Sequence, residues 1–138
     1  MKTETSHDPL TRPQAGGPSP TGGTRWRMLL ETRWRARLQE VTELALAYHD
    51  AAATVAAGPD PGGSNEDGLR LQRLLRRTVA SRRALADTEE ALARLSAGTY
   101  GRCETCAGAI GAQRLAVTPE TRYCARCARE PRRQGRPR

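Results

Sequence analysis

The four cysteines of this 138-residue chain occur as two Cys-x-x-Cys pairs, and this arrangement constrains the fold more than any other feature. Cys103 and Cys106 form the first pair, Cys124 and Cys127 form the second, and residues 107–123 separate them. Two such turns can place four thiolates at the corners of a tetrahedron, about 2.3 Å from one Zn²⁺. The spacing therefore predicts one closed, structural zinc site with no open position for catalysis.

Other uses of four cysteines fit the chain less well. Soft sulfur donors select Zn²⁺ over Mg²⁺ or Ca²⁺. Two disulfides require an oxidising compartment, and residues 1–23 contain no hydrophobic stretch typical of a secretory signal. A redox Cys-x-x-Cys normally occurs singly in an α/β domain, whereas this chain is predicted to be mainly helical. An iron–sulfur cluster remains an alternative use of the same ligands.

The N-terminal residues 1–23 are rich in Pro, Gly, Thr and Ser. Such a segment cannot bury enough apolar surface to offset its ordering entropy, so we expect a disordered arm. The chain also lacks any run near the roughly 18 apolar residues that a membrane span requires. These features predict a cytoplasmic protein without membrane contact.

A long helix is predicted from Thr24, a plausible N-cap, to Ala57, because neither Pro nor Gly interrupts this segment. Its apolar residues recur at alternating steps of four and three, the heptad pattern of coiled coils. We call these residues the heptad stripe: Trp34, Leu38, Val41, Ala45, Tyr48, Ala52 and Val55.

A second helix is predicted from about Glu66–Leu69 to Ala97, after a Gly- and Pro-containing tip loop at residues 58–68. Its predicted seam contains more polar residues: Leu71, Leu74, Thr78, Ser81, Leu85, Thr88, Leu92 and Leu95, with Leu75 and Val79 beside it. Two long helices joined by a short loop favour an antiparallel hairpin over residues 24–97. Two separate amphipathic helices of an ordinary bundle are the alternative, but no third helix is available to complete one.

The remaining composition agrees with a slender, mainly α protein. Phe is absent, and 28% of residues are charged. Residues 98–130 form the predicted zinc module, which has few apolar side chains and should need the metal in order to fold. Residues 131–138 form an Arg-rich basic tail. The formal net charge of +8 indicates an anionic partner.

A longer pattern surrounds the cysteines, directly after the predicted hairpin. It consists of Gly98-Thr99-Tyr100-Gly101-Arg102-Cys103-Glu104-Thr105-Cys106, then Ile110, Arg114-Leu115, Pro119 and Cys124-Ala125-Arg126-Cys127. With this pattern the chain resembles the DksA/TraR family of bacterial zinc-finger transcription regulators. The resemblance covers roughly residues 24–130 and is sharpest over the last thirty of them.

The resemblance implies a regulator that binds RNA polymerase and catalyses no reaction. By resemblance, the hairpin would enter the secondary channel of the enzyme, and acidic residues at its tip would approach the catalytic Mg²⁺. Asp60 matches the first Asp of the family's tip motif Asp-x-x-Asp-x-Ala, whereas Gly63 and Asn65 stand at the second Asp and the Ala. Glu66 and Asp67 are candidates to supply the missing negative charge. Ala107 stands where a Gly usually follows the second cysteine.

Two other functions remain open at this point. The first is a basic zinc module that binds nucleic acid directly through the Arg-rich C-terminal region, residues 98–138. No aromatic stacking platform supports it. The second, more remote, is a thiol-redox enzyme, which one tightly held zinc ion per chain would exclude.

Overall fold

The computed structural model describes residues 20–58 and 64–130 and is mainly helical. Two long helices, α1 (Pro20–Ala56) and α2 (Ser64–Ala97), precede two short ones, α3 (Ala112–Val117) and α4 (Ala125–Arg129). The predicted fold class, a helical hairpin followed by a four-cysteine module, is confirmed. The predictions for the arm residues 1–19, for Asp60 and for the tail residues 131–138 lie outside the described residues.

Both long helices begin earlier than predicted. Helix α1 starts at Pro20 instead of Thr24, because proline lacks only an N–H that a first helical turn leaves unpaired, and its φ already suits a helix. Helix α2 starts at Ser64, so Glu66 and Asp67 lie in its first turn and not in a loop extending to residue 68. The opposite ends agree with prediction, since Gly58 and Gly98 adopt φ values of 99° and 76° that favour glycine.

Helices α1 and α2 pack against each other as an antiparallel pair. The α2 seam lies where its sequence predicts: Thr78, Ser81 and Thr88 are buried, and the leucines of the predicted seam are half-buried. Leu75 and Val79, beside the seam, are exposed. Across the part of the chain that the structure describes, no helix combines the length and apolarity needed to cross a bilayer.

The predicted seam of α1 is wrong by one residue. The buried apolar residues of this helix are Trp26, Leu30, Leu44 and Ala51. They belong to a heptad set one position N-terminal to the heptad stripe, whose members are half-buried or exposed. The true seam was missed because Arg33, Arg37 and Glu40 occupy its middle, so its apolar pattern is interrupted where that of the stripe is continuous.

The base of the hairpin holds the main apolar cluster. Trp26 and Leu30 from α1 and Ala91 from α2 pack with Tyr100, Ile110, Leu115 and Cys103 of the zinc module. The Trp26 and Tyr100 ring centroids are 6.1 Å apart, within the range of favourable aromatic pairs. Trp26, which sequence reasoning left without a role, therefore joins the hairpin to the module.

Candidate metal centre

The first cysteine pair lies on a tight turn held by backbone hydrogen bonds. The Cys103 amide donates to the Gly108 carbonyl at 2.8 Å, and the Ala107 amide donates to the Cys103 carbonyl at 2.9 Å. Ala107 adopts the left-handed region at φ 57°, where a Cβ atom costs roughly 1–2 kcal/mol. This conformation gives a physical reason for the glycine that the resemblance expects there.

The second pair begins helix α4. Cys124 is the N-cap of this helix, and its Sγ accepts a hydrogen bond from the Cys127 amide at 3.5 Å. The Ala128 amide donates to the Cys124 carbonyl at 2.9 Å and closes the turn. The helical turn thus places Cys124 and Cys127 on the same side, facing the first pair.

The four sulfur atoms converge on one centre. All of them lie within 4.8 Å of one another, and the Sγ atoms of Cys106 and Cys124 are 3.9 Å apart. A tetrahedral site with Zn–S bonds of about 2.3 Å requires sulfurs about 3.8 Å apart. None of the four is in a disulfide. The donor set and its spacing therefore fit Zn²⁺.

Electrostatics also favours a cation at this centre. Amide donors, first that of Cys124 and then that of Cys106, lower the pKa of Cys103 to about 6. The adjacent Cys124 sulfur, followed by burial, raises the pKa of Cys127 to about 12. The surroundings thus favour the thiolate of Cys103 and disfavour that of Cys127. A divalent cation removes this conflict, because it stabilises all four thiolates at once.

Glu120 connects the zinc module to both long helices. Its side chain is 13% exposed and lies 3.5 Å from Arg33 of α1, and it accepts a hydrogen bond from the Thr88 hydroxyl of α2 at 3.3 Å. Arg94 of α2 donates to the Glu120 carbonyl at 3.2 Å. One partly buried residue therefore aligns the module with the hairpin through three partners.

Two further contacts strengthen this junction. The buried Tyr100 hydroxyl donates to the Pro119 carbonyl at 2.8 Å, and burial, then Glu120, raises the pKa of Tyr100 to about 12. Arg122 pairs with Glu90 and lies 3.8 Å from Asp87, both on α2. These roles were not predicted, because each depends on residues that are distant along the chain.

The predicted site residues fall into two groups. The four cysteines come together as expected. Glu66 is exposed and Asp67 is half-buried in the first turn of α2, at the end of the hairpin far from the sulfurs. Asp60 lies in residues 59–63, between the described parts of the chain.

Comparison with known proteins agrees with this architecture. Residues 98–133 match the model of the family described as prokaryotic dksA/traR C4-type zinc finger. An uncharacterized protein of Aquifex aeolicus is 46% identical over 50 residues, 36% of this chain and 34% of that protein. The RNA polymerase-binding transcription factor DksA of Buchnera aphidicola is 29% identical over 99 residues, 72% of this chain and 64% of that protein.

A solved structure extends the agreement to the hairpin. The transcription factor DksA2 of Pseudomonas aeruginosa superposes with a TM-score of 0.73 at 22% identity, over 85% of this chain and 88% of that one. The chain spans about a third and just under two thirds of the two curated relatives' lengths. The matched finger and the converging sulfurs together identify a C4-type site for one structural Zn²⁺.

Proposed function

Because this chain is a DksA/TraR family protein, we propose that it is a zinc-stabilised transcription regulator that binds RNA polymerase and catalyses no reaction itself. The observation that carries the proposal is the hairpin on its four-cysteine base, the architecture shared with DksA2. The Buchnera relative is an RNA polymerase-binding transcription factor, which is why RNA polymerase is the proposed partner. Such a partner implies action in the cytoplasm.

The dimensions of the hairpin suit insertion into a narrow channel. Helix α1 has 37 residues and is about 55 Å long at 1.5 Å per residue. Two packed helices are only about 20 Å across. In the proposed complex this rod enters the secondary channel of the polymerase, while the zinc module stays outside. A compact globular protein of the same mass could not reach as far.

The end of the hairpin carries the proposed active-site contact. Glu66 and Asp67 lie in the first turn of α2, and Asp60 lies in the segment that joins the two long helices. Carboxylates brought near a catalytic Mg²⁺ would interact with it directly or through its water ligands. The Gly63 and Asn65 substitutions leave Asp60, Glu66 and Asp67 as the tip charges.

A binding assay tests the proposal in two steps. Purified chain immobilised through its N-terminus should retain bacterial RNA polymerase, and Asp60→Asn should bind equally well, because the tip is a small part of the contact. In transcription from a responsive promoter, Asp60→Asn should lose most of the effect. Glu43→Gln, at an exposed position of α1 away from the tip, is the matched control and should behave as wild type. Failure of every form to bind polymerase would end this proposal.

Direct binding of nucleic acid is the second candidate. Arg102, Arg126 and Arg129 are exposed on the zinc module. Against this function, Arg122 already pairs with α2 carboxylates, and Arg114 donates to the Tyr123 carbonyl at 2.9 Å. Affinity for plain duplex DNA that falls steeply with salt, without polymerase, would favour this candidate.

A further inference from the structure

The heptad stripe lies beside the hairpin seam and leaves apolar surface at one edge of α1. Leu38 is 41% exposed and Val55 is 43% exposed. The other members of the stripe are half-buried. A strict heptad repeat is the pattern by which helices pair, yet the pairing with α2 uses the neighbouring positions. The repeat is therefore available for another helix.

Helix α2 adds apolar side chains to the same edge. The indole N–H of Trp34, the first residue of the stripe, donates to the Glu89 carboxylate at 3.2 Å. Leu75 precedes Glu89 by two heptads, so it lies on the same line of α2 and faces the stripe side. Leu75 is 47% exposed, and Val79, one turn further on, is 59% exposed. We call the stripe together with Leu75 and Val79 the apolar edge.

The zinc module contacts α2 elsewhere. Its contacts include Asp87 and Glu90, which pair with Arg122, Thr88 and Arg94, which bond to Glu120, and Ala91, which packs in the base cluster. These residues do not share the heptad line of Leu75 and Glu89. Within residues 20–58 and 64–130, the apolar edge consequently stays open to solvent along the hairpin.

The order of residues in the stripe suits pairing with itself. Steps of four and three also alternate in the reverse direction, so to within one residue two antiparallel copies align Trp34 with Val55, and Leu38 with Ala52. The next layers align Val41 with Tyr48, and Ala45 with its own copy at the two-fold axis. Most layers match a large side chain with a smaller one, which is the complementarity that helix packing requires.

We propose that the apolar edge binds a second copy of this chain, with the two hairpins antiparallel and Ala45 at the two-fold axis. Such an isologous contact closes after two copies. The stripe runs for about 33 Å, and the face that the two helices form on this side of the hairpin is about 20 Å wide. The face on this side of the hairpin, including Arg82 and Glu89 between the apolar residues, would bury at most roughly 1,300 Å² over both copies, which is within the range of stable interfaces.

Charge determines how this dimer should respond to salt. Each chain carries a formal net charge of +8, so two copies repel each other at low ionic strength. Salt screens this repulsion and leaves apolar burial unchanged, so dimerisation should strengthen as salt increases. An Arg-mediated contact with an anionic partner would weaken under the same conditions.

Dimerisation would also affect the proposed function. Two hairpins stacked on this face are about twice as thick as one, so a channel that admits a single rod would exclude the dimer. Only this consequence rests on polymerase binding. The dimer itself follows from the apolar edge.

Sedimentation equilibrium of the zinc-loaded full chain, from about 5 to 200 μM, tests the pairing. We expect the average mass to approach twice 15.1 kDa as the protein concentration rises. In higher salt, the same mass should be reached at a lower protein concentration. Ala45→Glu places two carboxylates at the axis and should weaken dimerisation at least tenfold. Leu46→Glu, at the adjacent position where Leu46 is 62% exposed, should weaken it less than twofold. Helical circular dichroism of both variants verifies that the hairpin is folded.

Cross-linking tests the antiparallel register. A short thiol cross-linker should join Ala45→Cys chains at the axis but not Val55→Cys chains, whose thiols would lie at opposite ends of the contact. Cross-linking of both variants would indicate parallel pairing and overturn the arrangement. A wild-type monomer at every concentration, or equal effects of the two Glu variants, would overturn the dimer. If the wild type is a monomer and Ala45→Glu loses polymerase binding, the apolar edge contacts polymerase and not a second copy of the chain.

Discussion

The base and the shaft of this molecule are built from the same two helices but are stabilised differently. At the base, Trp26 and Leu30 pack with Tyr100 of the zinc module, and Glu120 aligns the three elements. Along the shaft, the α2 seam contains Thr78 and Ser81, and the α1 seam contains Arg37 and Glu40. Stability is therefore concentrated at the base, while the shaft provides length and surface.

Removing the metal should produce the largest difference between the base and the shaft. Structural zinc contributes about 10–16 kcal/mol of apparent binding free energy at neutral pH, and residues 98–130 have few other apolar contacts. Cys106→Ser should lose tight zinc and the order of the module, while most helical circular dichroism persists. Thr105→Ser, at the neighbouring position, should retain one zinc per chain. Unchanged zinc content in Cys106→Ser would contradict a four-sulfur site.

The two tryptophans compare the base cluster with the hairpin surface beside it. Trp26 is 8% exposed in the base cluster, so Trp26→Ala should lower the free energy of unfolding by about 3–5 kcal/mol. Trp34 is half-buried outside this cluster and bonded to an exposed Glu89, so Trp34→Ala should lower it by about 1–2 kcal/mol. Urea unfolding of both variants measures the difference. Equal losses would show that the base cluster is no more tightly packed than the surface beside it.

Tyr100 makes the base sensitive to alkaline pH. Burial raises its pKa from 10.0 to about 12, so its neutral form contributes stability that is complete below pH 10 and is lost between pH 10 and 12. The loss should reach about 2–3 kcal/mol. Tyr100→Phe should be less stable at pH 9, because the Pro119 carbonyl loses its donor. It should not show this alkaline loss. Unfolding measured at pH 9 and pH 11 compares the two proteins, and about half of the loss should be present at pH 11.

The smallest effect should have the opposite sign. Ser81 is 5% exposed in the shaft seam, and its hydroxyl has no hydrogen-bond partner within the described residues. Ser81→Ala removes this unpaired group and should be neutral or stabilise the fold by up to about 1 kcal/mol. Thr88→Val, at the base, removes a hydroxyl bonded to Ala84 and Glu120 and should destabilise by about 1–2 kcal/mol. Thermal melts measure the stability of both variants, and a Ser81→Ala protein less stable than Thr88→Val would contradict this prediction.

The features predicted from the sequence were those encoded by local spacing. The cysteine pairs and the α2 seam depend on residues a few positions apart, and both were located correctly. The α1 register was wrong because the heptad stripe is more regular than the true seam, where base contacts compensate for polar residues. The start of α1 was misplaced because Pro20 was expected to lie outside the helix.

The junction residues could not have been predicted in the same way. Trp26 contacts Tyr100 of the zinc module. Glu120 and Arg122 contact Thr88 and Glu90 of α2, each about 30 residues away along the chain. No periodicity marks such distant contacts. A partial signal existed for Trp26, because Trp26 and Leu30 continue the heptad set of Leu44 and Ala51. This heptad set could have been identified as the α1 seam only by allowing charged residues in its middle.

Hydrogen–deuterium exchange with and without a zinc chelator tests most directly whether the metal stabilises the base and leaves the shaft independent. Chelation should increase exchange in residues 98–130 and in the adjoining helix segments around Leu30 and Ala91. Exchange between residues 40 and 52 and between residues 71 and 84 should stay nearly unchanged. A uniform increase along both long helices, or no change in the zinc module, would contradict this account.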